Sequence, residues 1–158
     1  MSKKGFTLVE LLIVIAIIGI VAAIAVPNLL TALQKGKQKA TMGDMKTIGG
    51  SIEDYMTDNY MAPGSGGVAT IRGLEIYLEP FYIKMCPVKD GWGGDLNYIS
   101  GRADTVEQDQ YSVISYGRGG VSTPFNPANS NYIVNTMAGF ENDICFSNGQ
   151  FTYVAKVK

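Results

Sequence analysis

From Phe6 to Leu30 the chain runs apolar for 25 residues and carries a single formal charge, Glu10. A helix of that length rises about 37 Å at 1.5 Å per residue, enough to cross a hydrocarbon core of about 30 Å, so the segment reads as a membrane span. An ordinary secretory signal has its apolar stretch before a small-residue cleavage site. Nothing here has that layout, since Val21, Ala22, Ala23 and Ile24 merely continue the run. Basic flanks do not orient the span, because Lys3 and Lys4 on one side face Lys35, Lys37 and Lys39 on the other. Glu10 is the feature that demands an explanation: a carboxylate at the bilayer centre costs about 2.5 to 3.5 kcal/mol and normally has a partner or a shallow position.

Beyond Leu30 polarity rises but the helical period persists. Met45, Ile48, Ile52, Tyr55 and Met56 fall on one stripe, while Asp44, Lys46, Glu53, Asp54 and Asp58 occupy other faces. This predicts an amphipathic continuation of the helix to about Asn59, lying on a domain. Gly49 and Gly50 weaken it by about 1 kcal/mol each unless close packing needs them. The run Pro63-Gly64-Ser65-Gly66-Gly67 ends the helix. A short helix is expected over 71–78, stopped by Pro80. Strands are expected over 96–99, 110–116, 132–134, 144–147 and 150–157, with Asn148-Gly149 as a two-residue hairpin turn. The fold class is α+β: a long N-terminal helix, membrane-spanning in its first half, packed on a small C-terminal antiparallel sheet. Gly117 to Asn131, rich in Gly, Ser, Pro and Asn, reads as an exposed loop.

Composition argues against catalysis and nucleic-acid binding. There is no histidine, so the commonest general base and metal ligand are missing. No nucleophile and base are brought together by any motif, and Asp104, Glu107 and Asp109 read as a solvated acidic loop. Thirteen Lys and Arg against fourteen Asp and Glu leave a net charge of −1, which offers no basic surface for phosphates. The chain is expected not to be an enzyme.

Lys4-Gly5-Phe6-Thr7-Leu8-Val9-Glu10 resembles the prepilin processing signal: a short basic leader ending in Gly, then Phe, then Glu four residues later. Leu11 to Ile20, including Gly19, and Pro27 within Ala25-Val26-Pro27-Asn28 continue the resemblance to type IV pilin-like proteins. The resemblance implies cleavage between Gly5 and Phe6 by a prepilin peptidase at the cytoplasmic face, N-methylation of Phe6 and an outward-facing domain. It gives residues 1–5 as leader, 6–30 as transmembrane and assembly helix, 31–60 as the amphipathic second half and 61–158 as the extracytoplasmic domain. It also implies an assembly contact in which Glu10 selects axial register by pairing with the new α-amine on Phe6 of an adjacent subunit. The alternative for Glu10 is a carboxylate favoured by the helix N-terminal dipole. Gly19 and Pro27 interrupt the helix former, as a site of kinking or melting in the filament or as a passive bend.

The stretch 41–59, Tyr82-Ile83-Lys84, Asp90-Gly91-Trp92-Gly93, Asn97-Tyr98, Tyr111-Ser112 and Glu141 to Ile144 resemble the major, G-type pseudopilin of type II secretion. That implies a homopolymer supporting protein export, built with an assembly ATPase, an inner-membrane platform protein and minor pseudopilins. It places the chain in the inner membrane before assembly and in a periplasmic or cell-surface filament afterwards. The alternative is the major subunit of an extracellular type IV pilus used for adhesion, motility or electron contact.

No cofactor is expected except the calcium that the resemblance implies for the C-terminal loop, with Glu141 and Asp143 as carboxylates. One departure bears on it: where the family often has Gly-Ala-Asp-Gly, this chain has Gly117-Arg118-Gly119-Gly120, which lacks the aspartate and adds a cation. Cys86 and Cys145 form the second departure. In an exported domain they can pair, closing a loop of about 60 residues worth roughly 4 kcal/mol in the chain-entropy model, and so clip this loop in place of calcium. Two free thiols are the other reading. Trp92 is expected to pack on the core beside a turn at Gly93 and Gly94.

Overall fold

The computed structural model describes residues 5–64, 67–100, 110–120, 131–133 and 137–156. The leader lysines, the acidic run Asp104, Glu107 and Asp109, and residues 121–130 of the expected loop lie outside them. One helix, α1, runs from Leu8 to Asn59 without a break. The chain divides into two compact units, one ending at Gln34 and one beginning at Lys35, and α1 contributes to both.

In the second unit α1 buries one face. Its buried residues all fall between Gln38 and Ile52, and Met45, Ile48 and Ile52 are fully enclosed. Tyr55 and Met56, the rest of the predicted stripe, pack half-buried against the same core. Burial of each aliphatic side chain contributes roughly 1.5 to 3 kcal/mol, so this stripe is what holds the helix to the domain. Gly49 is there for space: a Cβ would lie 2.1 Å from the Phe146 ring, whereas one at Gly50 would meet nothing within 4 Å.

Six strands follow: β1 (Gly67–Thr70), β2 (Asn97–Ser100), β3 (Tyr111–Ser115), β4 (Asn131–Ile133), β5 (Ile144–Ser147) and β6 (Gln150–Lys156). Their order is β1-β2-β3-β5-β6-β4. The neighbours from β1 to β6 are antiparallel, as expected, but β4 joins the edge parallel to β6. β1 was not expected; its four residues follow the Gly-rich loop and carry too short a pattern to register as a strand. Between β1 and β2, a 3-10 turn (Ile71–Leu74) leads directly into a one-turn helix, α2 (Glu75–Leu78), where the sequence predicts a single short helix. Asn148 and Gly149, at φ of 46° and 80°, form the predicted hairpin turn. Leu96, Tyr98, Tyr111, Val113, Ile144 and Phe146 close the core opposite Met45, Ile48 and Ile52.

Candidate assembly site

α1 starts with a reciprocal cap. Thr7 donates its N–H and its hydroxyl to Glu10 Oε2, at 2.8 and 2.6 Å, and accepts the Glu10 N–H on Oγ1 at 3.2 Å. This is a capping box, Thr at the N-cap and Glu three residues on, which satisfies backbone donors that a helix start leaves without intrahelical partners. The Thr7-x-x-Glu10 spacing announces it in the sequence, and it adds directed hydrogen bonds to the dipole reading of Glu10. Both donors converge on Oε2. Among the described residues Oε1 has no hydrogen-bond partner.

Gly5 and Phe6 precede the cap, and Phe6 is 77% exposed. From Leu8 to Leu33 every large aliphatic side chain of α1 is exposed, on all sides of the helix. A helix that is apolar all round is stable only in an apolar surrounding, a bilayer or a packed assembly. It is also long and apolar enough to cross a membrane. Gly19 and Pro27 lie inside this unbroken helix, and a Cβ at Gly19 would meet nothing within 4 Å. Thr31 donates its hydroxyl to the Pro27 carbonyl at 3.0 Å.

A second polar cluster ties the second unit together. Asp90 is 7% exposed; its Oδ1 accepts the N–H groups of Trp92 and Gly94, and its Oδ2 accepts the Ser115 hydroxyl. Gly91 donates its N–H to Thr41 of α1 at 2.8 Å. Asp90 therefore holds the turn that the Asp-x-Trp-Gly sequence makes, and Trp92 packs half-buried against the core as expected.

The expected disulfide is not formed: Cys86 and Cys145 are both free thiols. Cys145 sits in mid-sheet on β5, opposite Ile114 of β3 and Tyr153 of β6. Cys86 belongs to the segment after α2, where its N–H donates to the Glu79 carboxylate and where it lines a surface cavity with Asp44, Thr47, Ile83 and Lys84. Burial, with the Glu79 and Glu75 carboxylates, pushes the Cys86 thiol up to about 11.

Of the two carboxylates that the resemblance assigns to calcium, Glu141 accepts a charge-assisted hydrogen bond from the Arg118 guanidinium. Asp143 is buried, at 5% exposure. Among the described residues no three His, Cys, Asp or Glu side chains are grouped so as to hold a metal ion.

The prokaryotic N-terminal methylation motif matches residues 1–26. The chain is similar to type II secretion system core protein G of Vibrio cholerae, with 35% identity over 63% of this chain and 72% of the relative. It is similar to the protein of the same name from Klebsiella michiganensis, at 31% over 76% of this chain and 87% of that one, and from Escherichia coli, at 30% over 75% and 84%. No solved structure matches.

Proposed function

The chain belongs to the family of type II secretion system core protein G, the major pseudopilins, and on that basis we propose that it is the polymerising subunit of a secretion pseudopilus. The observation that carries the proposal is the first half of α1, apolar on every side and headed by a single capped carboxylate. Such a helix needs an apolar surrounding before and after assembly. The bilayer supplies it first, and the same helices from neighbouring subunits supply it in the filament.

In this reading a peptidase cuts between Gly5 and Phe6, and Phe6 is then N-methylated. The cut leaves the Thr7 amide intact, so the capping box survives processing. Phe6 gains an α-amine with a reference pKa of about 8, cationic at neutral pH. Oε1 of Glu10 is the acceptor available to such an amine on an adjacent subunit, while Oε2 stays with Thr7. A charge-assisted bond there removes two unpaired charges from an apolar medium at once, and it forms only in one axial register. Gly19 and Pro27 give the packed helices a narrow side and a bend. The role is structural rather than catalytic, exercised with the export machinery in the inner membrane and periplasm.

The test is Glu10→Ala and Glu10→Gln, with filament yield and membrane-inserted subunit both measured. The proposal expects both variants to insert and accumulate while filament yield falls at least tenfold. Wild-type yield from Glu10→Ala would refute the register role.

A further inference from the structure

Gly117 to Gly120 and the 3-10 turn Met137–Glu141 touch backbone to backbone. Gly117, at φ of 61°, lies so close that a Cβ would come within 2.7 Å of the Phe140 carbonyl oxygen and 2.5 Å of that of Asn142. Behind it, Ser115 Oγ accepts the Gly117 N–H at 3.2 Å while donating to buried Asp90 at 2.7 Å. The front of the same contact is closed by Arg118, whose guanidinium donates to Glu141.

From this we propose that the C-terminal loop of this chain is clipped by its own arginine and needs no divalent cation. Arg118 stands where the related pattern has a neutral residue beside an aspartate, and its fixed positive charge sits on one of the two carboxylates a cation would use. A calcium ion takes six to eight oxygens and tolerates no cation among them. At Glu141 it would have to displace a guanidinium that then loses its partner. The two thiols do not perform the clipping either, since they are free. What remains is a hydrogen-bonded ion pair across two loops whose glycines allow their backbones to meet.

The inference goes beyond the filament role and is tested apart from it, on the full chain in detergent micelles. Thermal unfolding and limited proteolysis of the C-terminal segment are followed in excess chelator and in about 10 mM calcium, roughly tenfold or more above the dissociation constants of extracellular sites. The wild type is expected to show the same midpoint and cleavage pattern in both. Arg118→Glu is expected to speed cleavage near the loop several-fold, and the exchanged pair Arg118→Glu with Glu141→Arg to restore resistance. Arg118→Lys, which keeps the charge, should stay close to the wild type and shows that the position tolerates change. Stoichiometric calcium binding by the wild type, a midpoint that rises with calcium, or an Arg118→Glu loop as resistant as the wild type would each overturn the proposal.

Discussion

The hydroxyl of Thr7 donates to Glu10 Oε2 at 2.6 Å and accepts the Glu10 N–H at 3.2 Å, so each residue satisfies the other at the first turn of α1. The side chain to which the proposed filament role assigns register is thus held in a fixed orientation by its own helix start. Preorganisation of this kind lowers the ordering cost that assembly would otherwise meet.

Replacing Thr7 with Val keeps the shape and removes the hydroxyl, which takes away two of the three bonds of the box. The loss of a cap of this type costs about 1 kcal/mol. Filament yield at limiting subunit is expected to fall about fivefold, with insertion unchanged and Thr7→Ser close to the wild type. Hydrogen exchange at residues 8–11 in micelles should rise in the Val variant alone.

The adjacent glycines Gly49 and Gly50 of α1 should respond oppositely to alanine. At Gly49 the new methyl meets the Phe146 ring, and overpacking of that kind costs roughly 1 to 3 kcal/mol. At Gly50 it meets nothing, so the gain in helix propensity, up to about 1 kcal/mol, is left to show. Denaturant midpoints of the two variants should therefore move in opposite directions from the wild type.

Much of the architecture was legible because helices and hairpins are local. The stripe of Met45, Ile48 and Ile52 and the Asn148-Gly149 turn follow from spacing and turn chemistry alone. The parallel edge strand β4 was not, since its pairing with β6 is a long-range choice that three residues do not encode. Cys86 and Cys145 looked like partners because they are the only two, but distance along a chain says nothing of distance in space. At the site, Glu10 stood out as the one charge in an apolar run. Thr7 is present in the motif yet silent, because an inter-subunit contact and the helix dipole both account for Glu10 without calling on a capping partner. Arg118 was visible as a departure, and its partner Glu141 came only with the fold.

Alkaline conditions should weaken the second unit. Burial chiefly, with Glu79 and Glu75, raises the Cys86 thiol from an ordinary value near 9 to about 11. Burial and then Glu53 raise the Tyr111 phenol in the same direction. Both groups are held neutral in the fold, so their stability contribution is complete below the unfolded values and fades as pH climbs through the folded ones. For Cys86 that window runs from about 9 to about 11. The unfolding midpoint should be flat from neutral pH to the lower limit and fall above it. Under native conditions near neutral pH, alkylation should mark Cys145 before Cys86, and mass mapping without reductant should find no bridge between them.

The intact mass of the native protein, taken separately from washed cell envelopes and from sheared extracellular material, tests the central claim most directly. The account predicts a chain that begins at Phe6, carries one added methyl group and is confined to the envelope fraction. A mass that still includes residues 1–5 in both fractions would contradict processing and, with it, assembly through a free Phe6 amine. The processed mass abundant in the sheared fraction would instead make the filament an extracellular pilus.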